Sequence, residues 1–180
     1  MVVKEDIDSR MGARPAKKRK TIVGIISDTH GLIRPEALRA LAGADLIIHA
    51  GDIGKPEVIA TLQAIARVIA IRGNNDRGAW ARKFPARAVV KIGRNKIFLL
   101  HDVKDLDFDP RAAGFRMVIS GHSHSPSIAE RGGVLYLNPG SAGPRRFKLP
   151  IAVATLRVDG STVNARHVDL NPPENSLRKT

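Results

Sequence analysis

The sequence contains no cysteine. Disulfides and thiolate metal sites are therefore excluded, and a chain without thiols fits a reducing compartment. Any metal must be held by histidine, carboxylate, asparagine or backbone oxygen. Aromatic residues are scarce, with five Phe, one Tyr and one Trp among 180 residues. A stacking platform along a nucleic-acid strand needs more rings than that. No run of ~18 apolar residues occurs, so no membrane span is expected. The opening residues, MVVKEDIDSRMGARPAKKRK, lack the apolar centre of a signal peptide. The expected setting is the cytoplasm, with no membrane partner.

Acidic residues are also few, 17 against 30 basic ones, giving a net charge of +13. Within residues 1–20, seven lysines and arginines outweigh Glu5, Asp6 and Asp8, which leaves +4 there and +9 for the rest. Such a surface attracts polyanions, whether nucleic acid or anionic substrates, although a solvated basic face has the same composition. The hydrophobic fraction, 43%, suffices for one domain with a sizeable core.

Residues 1–20 are expected to form a basic, disordered extension, and 171–180 a flexible tail. Between them short apolar runs recur. TIVGIIS (Thr21 to Ser27) is unbroken, as for a strand buried on both faces. DLIIHA, RVIAIR, KIFLLH and MVISG are similar. Pro35 and Pro56 open two helical stretches, PEALRALAG and PEVIATLQAIA. Proline suits the first helical position because its missing N–H has no partner there anyway. The first half thus alternates strand and helix, the mark of a parallel sheet. The second half predicts hairpins, around Gly93-Arg94-Asn95 and around Asp159-Gly160.

Metal-ligand residue types fall where the strands end. TIVGIIS leads into Asp28-Thr29-His30, DLIIHA into Gly51-Asp52, and RVIAIR into Gly73-Asn74-Asn75-Asp76. KIFLL ends at His101, and MVIS leads into Gly121-His122-Ser123-His124. The carboxyl edge of an open α/β sheet is where binding crevices form. At i and i+2 in extended chain, Asp28 and His30 would share a face, as would His122 and His124. Mixed nitrogen and oxygen donors suit manganese, iron, zinc or nickel better than calcium or magnesium alone. The donors are too numerous for one tetrahedral ion; two ions sharing a carboxylate use them economically. His49, inside its strand, reads as a packed core residue, and His167 is left unassigned. No Walker-type phosphate loop or dinucleotide glycine cluster follows the first strand.

This pattern (Asp-x-His, Gly-Asp, Gly-Asn-x-Asp, His, Gly-His-x-His) resembles the calcineurin-like metallophosphoesterase superfamily. SDTHG at 27–31, NPGS at 138–141 and the short chain resemble its compact prokaryotic phosphodiesterase branch. The likeness covers about residues 21–170, which sets the expected domain. It implies an α/β fold, a four-layer α/β/β/α sandwich of two facing mixed sheets flanked by helices. By position, Asp28, His30 and His124 would hold a first metal, and Asp52 would bridge. Asn74, His101 and His122 would complete a second. No ligand position is missing. The implied cofactors are two divalent ions, manganese foremost, with iron, zinc, nickel or magnesium as alternatives.

The implied activity is hydrolysis of phosphate diesters, and more broadly of phosphate esters, by a metal-bridged hydroxide. Many relatives carry histidine, and the compact branch often cysteine, where this chain has Asn75. An amide donates hydrogen bonds to a phosphoryl oxygen but transfers no proton at neutral pH. Asn75 and Asp76 are the candidate catalytic residues, Asp76 by orienting the loop. Arg145 and Arg146 are candidates for holding substrate phosphate, and Asn138 and Ser141 for supporting hydrogen bonds behind the ligands. The expected substrate is a small-molecule or nucleotide diester; the basic surface admits nucleic acid, and nothing opposes a homo-oligomer. Two competing functions follow from the same residues. One is a weakly active metal-binding scaffold or interaction protein, since some relatives that have lost ligands serve as scaffolds, as the retromer subunit of this fold does. The other is a nuclease using the KKRK arm at Lys17 to Lys20.

Overall fold

The computed structural model describes residues 2–6 and 20–171. Two mixed sheets pack face to face. One has five strands: β2 (Thr21–Ile26), β3 (Leu46–His49), β4 (Arg67–Ala70), β10 (Ala152–Asp159) and β11 (Thr162–Asp169), in the order β11-β10-β2-β3-β4. The other has six: β1 (Val2–Asp6), β5 (Arg87–Ile92), β6 (Asn95–Leu100), β7 (Met117–Ile119), β8 (Ser127–Arg131) and β9 (Val134–Asn138), in the order β1-β5-β6-β7-β9-β8.

In the five-stranded sheet, β2, β3 and β4 are parallel, joined by α1 (Pro35–Leu41) and α2 (Pro56–Gln63). Both helices begin on the expected proline, followed by a glutamate in the first turn. Those glutamates complement the positive end of the helix dipole. Both predicted hairpins form: Ile92 pairs with Asn95, and Asp159 with Thr162.

Alternate residues of each strand divide between two cores. Val23, Ile25, Leu46 and Ile48 face Val90, Ile97, Leu99 and Ile119 in the layer between the sheets. Ile26, Ile47 and Val153 pack against Leu41, Val58 and Leu62 of the helices. The outer face of the six-stranded sheet is covered by residues 101–116, with a single 3-10 turn at Val103–Asp105. There Phe98 meets the rings of Phe108 and Phe115 edge-on, with centroids 5.0 and 5.2 Å apart. Packed aromatic rings thus cover this face where a helix was expected.

Two further features depart from expectation. Within the extension expected over residues 1–20, Val2–Asp6 forms an edge strand parallel to β5. Its β-branched pair, Val2 and Val3, suits that pairing better than disorder. Residues 7–19, with most of the KKRK arm, and 172–180, most of the expected tail, lie outside the described residues. The β8–β9 hairpin was not foreseen, because its turn, Gly132-Gly133, sits between runs with little apolar alternation. Among the described residues no helix is long and apolar enough to cross a membrane.

Candidate metal centre

The strand ends of the two sheets are stitched together by backbone hydrogen bonds. Asp28 N donates to Gly51 O at 3.0 Å, and His30 N to Asp52 O at 3.0 Å. Gly121 N donates to His101 O at 2.9 Å. His122 N donates to Asp28 Oδ2 at 3.1 Å and so ties one sheet to the other. The loop after β9 joins them, Ala142 N donating to Ser27 O at 3.1 Å.

Two groups of ligand atoms result, each within 4.8 Å: Asp28, His30 and His124, and Asp28, Asp52 and His101. His124 Nε2 lies 3.3 Å from Asp28 Oδ1 and 3.3 Å from His30 Nε2. His101 Nε2 lies 3.4 Å from Asp52 Oδ2, and His30 Nε2 3.9 Å from the same oxygen. Asn74 and His122 lie beside the second group: Asn74 Oδ1 is 3.1 Å from His122 Nδ1, and the His122 ring is 5.2 Å from that of His101. Beside Asn74, His101 and His122 opens a cleft of about 280 Å³, bordered also by Arg72, Arg87 and Asp102.

The residues arrive there by a route that strand alternation does not give. Asp28, His30, Asp52, His122 and His124 have φ of +53°, +45°, +53°, +66° and +57°. They are five of the six non-glycine residues with positive φ among the described residues. Left-handed backbone is costly for side chains of this size, and such outliers cluster at functional sites. The expected extended chain is therefore corrected: Asp28 and His30 do meet, but His122 and His124 part. His122 turns toward Asn74, whereas His124 joins Asp28 and His30.

The Gly-Asn-Asn-Asp turn assigns its three polar residues different tasks. Asn74 reaches His122, as above. Asn75 binds the Asp52 carboxylate twice, N to Oδ1 at 2.9 Å and Nδ2 to Oδ2 at 2.6 Å. Asp76 is buried, and its oxygens accept from Ile53 N, Gly54 N and Gly73 N at 3.1, 2.8 and 2.8 Å. It clamps the Asp52 loop to the turn and acts as a positioning residue. Gly73 is fixed by space, since a Cβ there would collide with Asp52 Oδ1.

Behind the ligands, Asn138 Nδ2 donates to Gly121 O at 2.6 Å, and Ser141 Oγ to Asp28 O at 2.9 Å. Both hold the backbone of ligand loops. Arg145 and Arg146 are exposed on the loop that follows. The sequence reading missed two contributors. Asp102 Oδ2 sits 3.4 Å from His122 Nε2, a carboxylate behind a histidine; its place next to His101 was the available signal. Thr29 Oγ1 meets His49 Nε2 at 2.9 Å beneath the Asp28 turn. His49 is buried as expected, and burial pushes its pKa down to about 3, so it stays neutral.

Burial opposes charge on Asp52, yet contacts from His101 and Asn75 outweigh it and hold the carboxyl well below the usual range. Burial likewise disfavours a charged His101, but Asp52 and the Ala50 carbonyl raise its pKa above 6.5. His101 Nδ1 is 2.8 Å from Ala50 O, which leaves Nε2 as the atom available to a metal. In the metal-free protein a protonated His101 therefore stabilises the fold below about pH 6.5, and this is lost as pH rises through its raised pKa. An ion at Nε2 must displace that proton. Binding of Mn²⁺ is expected to tighten from about pH 6 to about pH 8, with proton release. Calorimetric titration in buffers of different ionisation enthalpy checks this; equal affinity at both pH values contradicts it.

A family model for the calcineurin-like phosphoesterase superfamily domain matches residues 22–161. The chain belongs to the calcineurin-like phosphoesterase superfamily. It is 33% identical over 164 residues to a probable metallophosphoesterase of Methanothermobacter thermautotrophicus, covering 84% of this chain and 94% of that one. It is 28% identical over 137 residues to a phosphodiesterase of Methanocaldococcus jannaschii, covering 66% and 82%. Among solved structures, Vps29 of Entamoeba histolytica complexed with Zn²⁺ has the same fold, with a TM-score of 0.66, 24% identity, and coverage of 84% and 100%.

The calcineurin-like family is metal-dependent, and the residues present fit that requirement. Asp28 Oδ1, His101 Nε2 and His124 Nδ1 are buried without a well-formed hydrogen bond, the first two having only His124 Nε2 at 3.3 Å and Asp52 Oδ2 at 3.4 Å beside them. A buried carboxylate oxygen left without a hydrogen bond is costly unless a cation completes it.

Proposed function

We propose that this protein is a metal-dependent phosphodiesterase with broader phosphoesterase activity, built around two divalent ions, manganese foremost. The observation that carries the reading is a pair of buried atoms without a hydrogen bond, Asp28 Oδ1 and His101 Nε2, which lie 4.0 Å apart in one group with the Asp52 carboxylate. Asp28, His30 and His124 would hold one ion, Asn74, His101 and His122 the other, and Asp52 both. When bound, the ions supply Lewis acidity at the phosphoryl oxygens and lower the pKa of water for attack on phosphorus.

The chain's own groups do the rest. Asn75 fixes the Asp52 carboxylate, leaving no side chain in that turn able to protonate a leaving oxygen at neutral pH. Diesters and activated aryl esters should therefore be favoured over monoesters with poor leaving groups. Arg145 and Arg146 would hold non-bridging phosphate oxygens through paired N–H groups. Asn75→His should raise monoesterase relative to diesterase activity by roughly 10²-fold, the lower end of the scale of general acid catalysis. An unchanged ratio removes this role from position 75.

The test of the whole reading is a panel of monoesters, cyclic nucleotides and linear diesters, each run with several divalent metals. Turnover of linear diesters above monoesters supports it. Preference for DNA or RNA with steep salt dependence would point to a nuclease instead.

A further inference from the structure

Six of the seven aromatic side chains pack into apolar clusters, and Phe147 alone stands 92% exposed. Its φ is +52°, a conformation that a bulky side chain rarely adopts. The loop carrying it is not loose. At its start Gly143 N donates to Asp28 O at 3.2 Å, while Gly143 O accepts from Arg34 Nε and Nη2 at 3.3 and 3.2 Å. At its end Ser141 and Ile151 pair as a parallel bridge, and Leu149 N donates to Arg146 O at 3.1 Å. The ring is thus carried on a loop anchored to the backbone of a metal-ligand residue.

An exposed ring following two arginines matches a ligand that has a flat apolar face and an adjacent anion. We propose that Phe147 is a stacking surface for an aromatic base, that Arg145 and Arg146 take the attached phosphate, and that the substrate class is a nucleoside phosphodiester. This rests on the phosphodiesterase reading above. A single exposed aromatic serves one base, so the site suits a small nucleoside ester better than a long strand. The second ester arm has room in the cleft beside Arg72, on the flank of Asn74 and His122.

The test compares two diesters with the same leaving group, thymidine 5′-(p-nitrophenyl phosphate) and methyl p-nitrophenyl phosphate. In Phe147→Ala, the ratio of kcat/KM for the nucleoside ester over the methyl ester should fall roughly 5- to 150-fold, the scale of one base–aromatic stack. The loss should lie mainly in KM, and Phe147→Trp should restore it. An unchanged ratio overturns the proposal. So does an unchanged ratio with altered sedimentation, which would make the ring a contact between copies. If the wild-type protein hydrolyses neither ester, the catalytic reading fails separately. Stacking is then read from the fluorescence of 2-aminopurine riboside 5′-monophosphate added to the Mn²⁺-loaded full-length protein. Quenching that Phe147→Ala abolishes upholds the proposal, and absence of quenching overturns it.

Discussion

Asp52→Asn is expected to lower metal-dependent diester hydrolysis on the order of 10³-fold, as loss of a central electrostatic group does in other active sites. Asp52 is 1% exposed and lies within reach of both histidine sets, 3.4 Å from His101 and 3.9 Å from His30. If Asp52 bridges two ions as proposed, removing its charge weakens both positions together. The substitution also breaks local pairing. Asp52 accepts from two Asn75 donors, one on each carboxylate oxygen. An asparagine offers only one oxygen, so its amide nitrogen must face an Asn75 N–H donor. Metal content measured on the purified variant should fall with activity. Activity close to wild type would remove Asp52 from the bridging position.

Gly73→Ala should have the next largest effect, by a different route. The backbone at Gly73 is not in the left-handed region, so the cost is space alone. The new methyl would meet the Asp52 carboxylate and the Asp52 backbone nitrogen. Neither yields easily, because Asp52 is held by Asn75, and Asp76 ties Gly73 N to the following loop. Overpacking of this kind costs about 1–3 kcal/mol. At about 2–4 °C per kcal/mol for a chain of this size, Tm should drop by about 2–12 °C. Activity should drop by about 100-fold, since a displacement near 1 Å suffices for that. Gly43→Ala is the control: its φ is +79° but nothing lies within 4 Å of the added Cβ. It should destabilise the fold with little change in kcat. If both variants lose kcat equally, the effect of Gly73→Ala is general destabilisation and not pressure on Asp52.

Much of the architecture was legible because its signals are local. Pro35 and Pro56 mark helix starts, and unbroken apolar runs mark strands buried on both faces, as Leu46–His49 shows. The edge strand Val2–Asp6 was hidden by the charged residues around it, and the β8–β9 hairpin by its weak alternation. The ligand types were legible from their positions after strands. Their geometry was not, because five of them sit in left-handed backbone that no strand periodicity describes. The roles of Asn75 and Asp76 needed the fold as well. Only in three dimensions does Asn75 meet Asp52, 23 positions earlier, and Asp76 meet Ile53 and Gly54. Asp102 was likewise invisible as His122's partner until β6 and β7 lay side by side.

The most direct test is hydrolysis of bis-p-nitrophenyl phosphate by the wild-type protein, titrated from the metal-free state with Mn²⁺ while bound metal is counted. The account predicts a rate that climbs as the second equivalent binds and returns to background with chelator. Two bound ions per chain with no hydrolysis under Mn²⁺, Fe²⁺, Zn²⁺, Ni²⁺ or Mg²⁺ would contradict it and leave a metal-binding scaffold in its place.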